Sequence, residues 1–275
     1  MKKDDRKIDI FQQKIYDFYK KNKRNFVWRE NITPYKIFIS EVMLQQTQTA
    51  RVVPKFEAWI QKFPDFQTLA QASQHEVLSA WQGLGYNRRG LAVHASAKKI
   101  VQEFFKKLPE DPVILQTFPG IGPNTAGSIC AFAFNIPVVF IETNIRTVFL
   151  HEFFLGQANV SDRELLPLIE KYMDVQSPRE WCYALMDYGV YLKKKLKATN
   201  KNSKHYSRQS RFVGSKRQVR GAVVRILTKI GKVSFDDLVA LVAQELPKNQ
   251  HDVVKIVEQL AVEKLVQVSD DHLFL

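Results

Sequence analysis

Between residues 8 and 192, apolar side chains recur at the three-to-four-residue spacing of amphipathic helices in nine stretches: 8–19, 37–46, 51–63, 76–83, 91–105, 125–134, 145–154, 163–173 and 181–192. Short connectors containing Gly, Pro and Asn separate them. No alternating strand pattern survives in this span, and helices with a single apolar stripe must bury it against one another. An all-α domain is therefore expected over residues 1–195. From Lys193 to Arg220 the pattern changes, because Lys and Arg recur there without a single acidic residue. A basic linker is expected at 196–217, either a solvated tether or a contact to phosphate. Beyond it, 219–230, 236–245 and 251–265 read as helices, and 266–268 and 273–275, on either side of Asp270 and Asp271, as a β-hairpin. Residues 218–275 are thus expected to form a small α+β module of their own.

A chain of 275 residues, 45% hydrophobic and 25% charged, carries enough apolar surface for a sizeable core. Its formal charge of +13 favours polyanionic partners, nucleic acid first and an anionic membrane surface second. No apolar run approaches the roughly 20 residues of a membrane span. Residues 1–23 are charged and amphipathic, without the apolar heart of a signal peptide. The expectation is a cytoplasmic, nucleoid-associated monomer with no membrane contact. Cys130 and Cys182 each stand among apolar or aromatic neighbours and read as buried thiols. Two thiols are too few for a tetrahedral zinc site or a four-thiolate iron-sulfur cluster, so neither a metal nor a cofactor is expected.

Two segments carry the chemistry. Phe-Pro-Gly-Ile-Gly-Pro-Asn-Thr-Ala-Gly at 118–127 places Gly120 and Gly122 two apart, which permits a tight hairpin, and Pro123 suits the first turn of a following helix. With Asn124 and Thr125 it makes a candidate phosphate site, the competing reading being a plain helix connector. Thr-Pro-Tyr-Lys-Ile-Phe-Ile-Ser-Glu-Val-Met-Leu-Gln-Gln-Thr-Gln at 33–48 carries one acid, Glu41, on an otherwise apolar helix. A lone carboxylate there is costly to bury unless it is partnered or useful. Gln45 and Gln46, one turn on, could probe base edges or fill the gap left by an extruded nucleotide.

Together with Trp-Gln-Gly-Leu-Gly-Tyr-Asn-Arg-Arg at 81–89 and Phe-Ile-Glu-Thr-Asn-Ile-Arg-Thr-Val at 140–148, these strings resemble the MutY-type adenine DNA glycosylases of the helix-hairpin-helix (endonuclease III) superfamily. The resemblance covers most of residues 10–195. It implies a two-lobed all-α glycosylase fold and, as partner, double-stranded DNA with a mispaired or damaged base. In the implied reaction the N-glycosidic bond of a flipped base is hydrolysed. Glu41 matches the family's catalytic acid and Glu142 the carboxylate that stabilises the oxocarbenium ion, with Asn144 also in register. Acid and carboxylate make chemical sense together, one protonating the leaving base and the other offsetting sugar cation charge. A helix-capping acid is the competing reading of Glu142. Trp28, Arg29, Tyr86 and Arg88 match positions beside the flipped base or the DNA, although each aromatic could equally serve core packing. Residues 218–275 resemble a winged-helix module, whose third helix would read a groove or serve packing.

Where the family reads Asp-Gly-Asn-Val, this chain reads Glu-Thr-Asn-Ile at 142–145. Asn124 stands where bifunctional relatives carry a Schiff-base lysine, so a monofunctional enzyme is expected. No cysteine follows Tyr191, where the family's cluster ligands would stand, and the C-terminal module does not resemble the Nudix-like domain that checks the opposite base. Adenine opposite guanine or 8-oxoguanine is the expected substrate. A mismatch thymine or uracil glycosylase is the alternative, against which the string at 41–48 argues. A DNA-binding scaffold without catalysis is a second, against which the presence of Glu41 argues.

Overall fold

The computed structural model describes residues 3–195, 202–204, 206 and 211–275; Lys197, Lys201 and Arg208 of the expected linker lie outside them. The amino-terminal span folds into helices α1 (Lys3–Asn22), α2 (Pro34–Leu44), α3 (Thr49–Lys62), α4 (Phe66–Gln71), α5 (Gln74–Trp81), α6 (Arg88–Glu103), α7 (Pro112–Leu115), α8 (Pro123–Ile129), α9 (Thr143–Phe153), α10 (Asp162–Lys171) and α11 (Pro178–Lys195). Helices α4 and α7 escape the apolar periodicity because one or two turns are too short to display it. Caps set both: the Asp65 carboxylate accepts from the Thr68 N–H at 2.7 Å, and that of Asp111 from the Val113 N–H at 2.7 Å, with Pro112 in the first turn. The helix expected over 125–134 starts at Pro123 and changes pitch. Its second half is a π turn at Cys130–Phe134, closed by Asn135 in the left-handed conformation (φ 59°).

Tertiary contacts group the chain into two units, each drawing on two stretches of sequence. Unit 1 takes 1–41 and 109–208, and unit 2 takes 42–108 and 209–275. In unit 1, α1, α9, α10 and α11 share a core in which the Phe11 ring meets Phe149, Phe153, Tyr172 and Trp181 edge-on at 5.1–5.9 Å. Helix α11 runs against the start of α9 at Gly189, where a Cβ would collide with the Asn144 carbonyl oxygen. Only glycine allows that approach, and it carries Lys193, one turn further along α11, to Asn144.

In unit 2, Trp59 and Trp81 pack edge-on at 5.5 Å. A Ser73–Glu76 capping box starts α5. The carboxy-terminal module comprises α12 (Lys216–Ile230), β1 (Val233–Ser234), α13 (Phe235–Glu245), α14 (Val253–Val262), β2 (Gln267–Ser269) and β3 (His272–Phe274). The expected hairpin β2–β3 is present. It gains a third antiparallel strand, β1, in the order β1-β3-β2, with Val233 and Val268 both opposite Leu273. Two residues are too few for an alternating pattern, which is why β1 cannot be read from sequence. Leu78 of α5 is buried in one cluster with Val223, Leu227, Leu260 and Leu273 of the module. The Gln74 amide donates to the Lys264 carbonyl at 3.1 Å, which ties the same surfaces together.

The basic stretch is not a uniform tether. Lys193, Lys194 and Lys195 form the last turn of α11, while Lys216, Arg217 and Arg220 lie in α12. Among the module's helices the arginines are on α12, whereas Lys255 of α14 sits 3.7 Å from Asp252.

Candidate active site

Helix α2 owes its burial to Ile37, Phe38, Ile39, Val42 and Met43, all within 2% of full burial. Glu41 keeps partial exposure, yet protein surrounds its carboxyl closely. The Ser128 hydroxyl, on α8, lies 2.6 Å from Glu41 Oε2 and 3.0 Å from the Thr125 carbonyl oxygen. Burial pushes the Glu41 carboxyl up to about 7; the Ser128 hydrogen bond opposes that shift, the charge of Glu142 adds to it and that of Arg29 opposes it. A carboxyl poised near neutrality exchanges a proton in either direction at low cost. Ser128 suits both states, since its one proton has two acceptors. It donates to Glu41 when that group is ionised, and can turn to Thr125 and accept when Glu41 is protonated.

Glu142 sits at the amino end of α9. Its Oε1 accepts from the N–H groups of Asn144 (2.8 Å) and Ile145 (3.0 Å), and its Oε2 accepts from Asn144 Nδ2 (3.2 Å). The capping reading of this acid is therefore realised in the geometry. Asn144 Oδ1 in turn accepts from Lys193 Nζ at 2.8 Å, and burial holds the Lys193 ammonium below the usual lysine range. Lys193 belongs to this cluster, not to a solvated tether.

Gly120 adopts the left-handed φ of 77° that a tight hairpin asks of glycine, whereas Gly122, the N-cap of α8, sits at φ −90° with room for a Cβ. Thr125 supplies the carbonyl that faces Ser128. Asn124 Oδ1 accepts from the Ile141 N–H at 3.0 Å, which fixes the segment leading into Glu142. The amide thus has a structural partner inside the protein.

Trp28 is 3% exposed and stacks on Phe26 at 4.8 Å. Arg29 is a pocket wall, not a surface cation: its side chain is 8% exposed, and Asp187 accepts from its Nη1 at 2.9 Å and Nη2 at 3.1 Å. Arg29 also lies over the rings of Phe26 (5.2 Å) and Tyr183 (4.2 Å). Arg24, Phe26, Arg29 and Tyr183 line a cavity of about 300 Å³ in unit 1.

Gln45, Gln46, Tyr86 and Arg88 belong to unit 2. Gln46 and Tyr86 both hold left-handed backbone conformations, at φ 55° and 50°. Arg89 sustains them. Its Nη1 donates to the carbonyls of Val42 (2.9 Å), Met43 (3.0 Å) and Gln45 (2.5 Å), and its Nη2 to Thr47 Oγ1, Leu84 O and Gly85 O at 3.0 Å each. Arg88 itself is largely exposed, 3.8 Å from Glu263.

The profile of HhH-GPD superfamily base excision DNA repair proteins matches residues 39–173. Adenine DNA glycosylases are among the similar proteins: that of Rattus norvegicus is 32% identical over 195 residues, covering 66% of this chain and 38% of the relative. That of Mycobacterium tuberculosis is 39% identical over 140 residues, or 50% of this chain and 46% of the relative. The chain thus spans about a third to a half of the length of these relatives. Among solved structures, a thermostable thymine-DNA glycosylase superimposes with a TM-score of 0.62 at 20% identity, over 70% of this chain and 91% of that one. A non-covalent endonuclease III–DNA complex gives 0.59 at 16%, over 71% and 89%. The chain therefore shares its fold with both.

A four-thiolate cluster of the kind the resemblance implies does not fit this chain. Its two thiols are each buried, Cys130 donating to the Glu110 carbonyl at 3.1 Å, and burial raises both, Cys130 to about 11. Ser128, Asp187 and Tyr183 in unit 1, and Arg89 in unit 2, escaped the sequence reading because each acts through a partner more than 40 residues away, and Lys193 had been read only as the head of a basic run.

Proposed function

We propose that the chain is a monofunctional base-excision DNA glycosylase that hydrolyses the N-glycosidic bond of adenine mispaired with guanine or 8-oxoguanine in double-stranded DNA. The observation that carries this reading is the Glu41 carboxyl, raised to about 7 and held by Ser128. Protonated Glu41 gives its proton to a ring nitrogen of the everted base, so the electron pair of the breaking C1′–N bond leaves on a neutral base. The deoxyribose is left with oxocarbenium character, and the Glu142 carboxylate offsets its charge. Ionised Glu41 then takes a proton from the water that adds to C1′, which restores the acid and leaves an abasic site. Asn124 offers an amide and no nucleophilic amine, which favours hydrolysis over strand cleavage through a Schiff base.

The names of the similar proteins support adenine as the base released. Single-turnover assays on duplexes that differ only in one mispair test the reading. Adenine release from A·G or A·8-oxoG duplexes, without strand cleavage before alkali, is expected. Release of thymine or uracil alone would replace adenine with the alternative substrate, and no release from any duplex would leave a DNA-binding scaffold.

A further inference from the structure

Gly189 lets α11 pass close against Asn144 at the start of α9, and one turn on the same face of α11 carries Lys193. Lys193 is half-buried, whereas its neighbours Lys194 and Lys195 are exposed. Taking an ammonium out of water has a cost that a good partner must offset. Among the described residues no carboxylate forms an ion pair with it, and its Nζ donates instead to the neutral Asn144 Oδ1 at 2.8 Å. The other cation nearby, Arg146, is taken up by Asp162, which accepts from its Nε at 3.0 Å and its Nη2 at 2.7 Å. Burial holds the Lys193 ammonium below the usual lysine range, while the charge of Glu142 supports it and that of Arg146 opposes it.

The Asn144 amide therefore has a charge at each end. Its oxygen faces the ammonium, and its Nδ2 donates to Glu142 Oε2 at 3.2 Å. An amide has one acceptor end and one donor end, so a flip would set its NH2 against the ammonium and its oxygen against the carboxylate. Both partners thus select the same orientation, and the ammonium also polarises the amide, which strengthens the bond at its far end. That bond matters to Glu142, because a glutamate has several side-chain torsions to fix. The N–H groups of Asn144 and Ile145 hold Oε1 alone. Among the described residues the Asn144 amide is what holds Oε2, and it thereby sets the plane of the carboxylate.

We propose that Lys193 is a positioning residue for base release: its ammonium fixes the Asn144 amide, and the amide aims the Glu142 carboxylate. The inference rests on the glycosylase reading in one respect, that the Glu142 charge faces the developing sugar cation.

The test uses the full chain and single-turnover base release from a mispaired duplex. Lys193→Met keeps an unbranched stem and removes the ammonium. It should slow release about tenfold or more, in line with one charge-assisted hydrogen bond whose loss is felt in the transition state. It should leave unchanged the slope of log affinity against log salt, which the loss of a phosphate contact would lower by about one. Lys193→Arg, still able to donate to an amide oxygen, should recover most of the rate. Lys194→Met, which removes an exposed charge next to it, should release base as wild type does. Asn144→Ala should be at least as slow as Lys193→Met, and combining the two should cost less than about twofold more, because the ammonium acts through the amide. Wild-type release by Lys193→Met overturns the proposal, as do losses that multiply in the double variant. A lowered salt slope overturns it too, by making Lys193 a phosphate contact. Urea unfolding of the same variants needs no activity: the midpoint losses from Lys193→Met and Asn144→Ala should be less than additive. Wild type that releases no base removes the glycosylase reading, whereas additive midpoint losses remove the hold of Lys193 on Asn144 whether or not base is released.

Discussion

The Ser128 hydroxyl lies 2.6 Å from Glu41 Oε2, and it joins α8, which follows the glycine hairpin, to the one acid on α2. Because this bond favours the ionised carboxylate, it holds the Glu41 carboxyl lower than burial alone would. Base release that needs the protonated acid should fall about tenfold per pH unit above the Glu41 midpoint near 7. Ser128→Ala should move that alkaline limb to higher pH. Single-turnover rates between pH 5 and 9 measure it, and a limb that stays in place or moves down would detach Ser128 from the acid.

Glu41→Gln should abolish base release and leave DNA affinity nearly intact, since the amide keeps the size but has no acid proton to donate. A second effect follows from linkage. The folded state keeps a proton on Glu41 that the unfolded chain gives up near 4.5, so stability declines as pH rises from about 4.5 to about 7. The Gln variant does not titrate and escapes that loss. It should be more stable than wild type by ~1–3 kcal/mol at pH 8 and gain nothing from the change at pH 4. Urea unfolding at the two pH values decides the matter; equal stability at both would mean that the carboxyl is not raised.

Glu142 caps α9 whatever else it does, which gives its substitutions two separate readouts. Glu142→Ala should lose about 1 kcal/mol of stability with the cap. Glu142→Gln, able to accept one N–H but uncharged, should cost at least about a hundredfold in the chemical step, because a preorganised charge facing the sugar cation is lost. It should also move the alkaline limb to lower pH, since the Glu142 charge raises Glu41. Glu142→Asp should keep both cap and charge and remain within about tenfold of wild type, charge stabilisation falling only as the inverse of distance. Wild-type turnover by the Gln variant would reduce Glu142 to a cap.

Arg89 should matter more to stability than its neighbour Arg88. Its guanidinium serves six acceptors from the end of α2 to Gly85, while Arg88 is exposed. Arg89→Ala should cost about 2–4 kcal/mol by releasing the end of α2 from the turn at Leu84 and Gly85. Arg89→Lys should recover little, because an ammonium cannot span that fork. Arg88→Ala should change stability by less than about 0.5 kcal/mol. Chemical denaturation of the three variants tests the order.

Much of this was legible in the residues themselves. Helical periodicity marked the long helices, and a lone carboxylate among Ile37, Phe38, Val42 and Met43 marked Glu41, because burying a charge demands a reason. The glycines at 120 and 122 announced the hairpin. What stayed hidden depends on contacts distant in sequence. Ser128 is an ordinary serine until α8 lies beside α2. Lys193 looked like the first of a basic run, and only the close approach at Gly189 takes it to Asn144. The strand Val233–Ser234 exists because β3 pairs with it, and nothing local requires it.

The two units are interleaved along the chain: 42–108 interrupts unit 1, and its own packing partner does not arrive until 209–275. A ribosome making this protein from the amino end therefore exposes Leu78 and its neighbours on α5 long before the residues that cover them exist. Until then those side chains are open to aggregation or to a chaperone. A shortened protein that stops before α12 would keep every residue nominated for catalysis and still carry a permanent apolar scar, so the carboxy-terminal module is a debt owed by the middle of the chain, not an appendage to be trimmed.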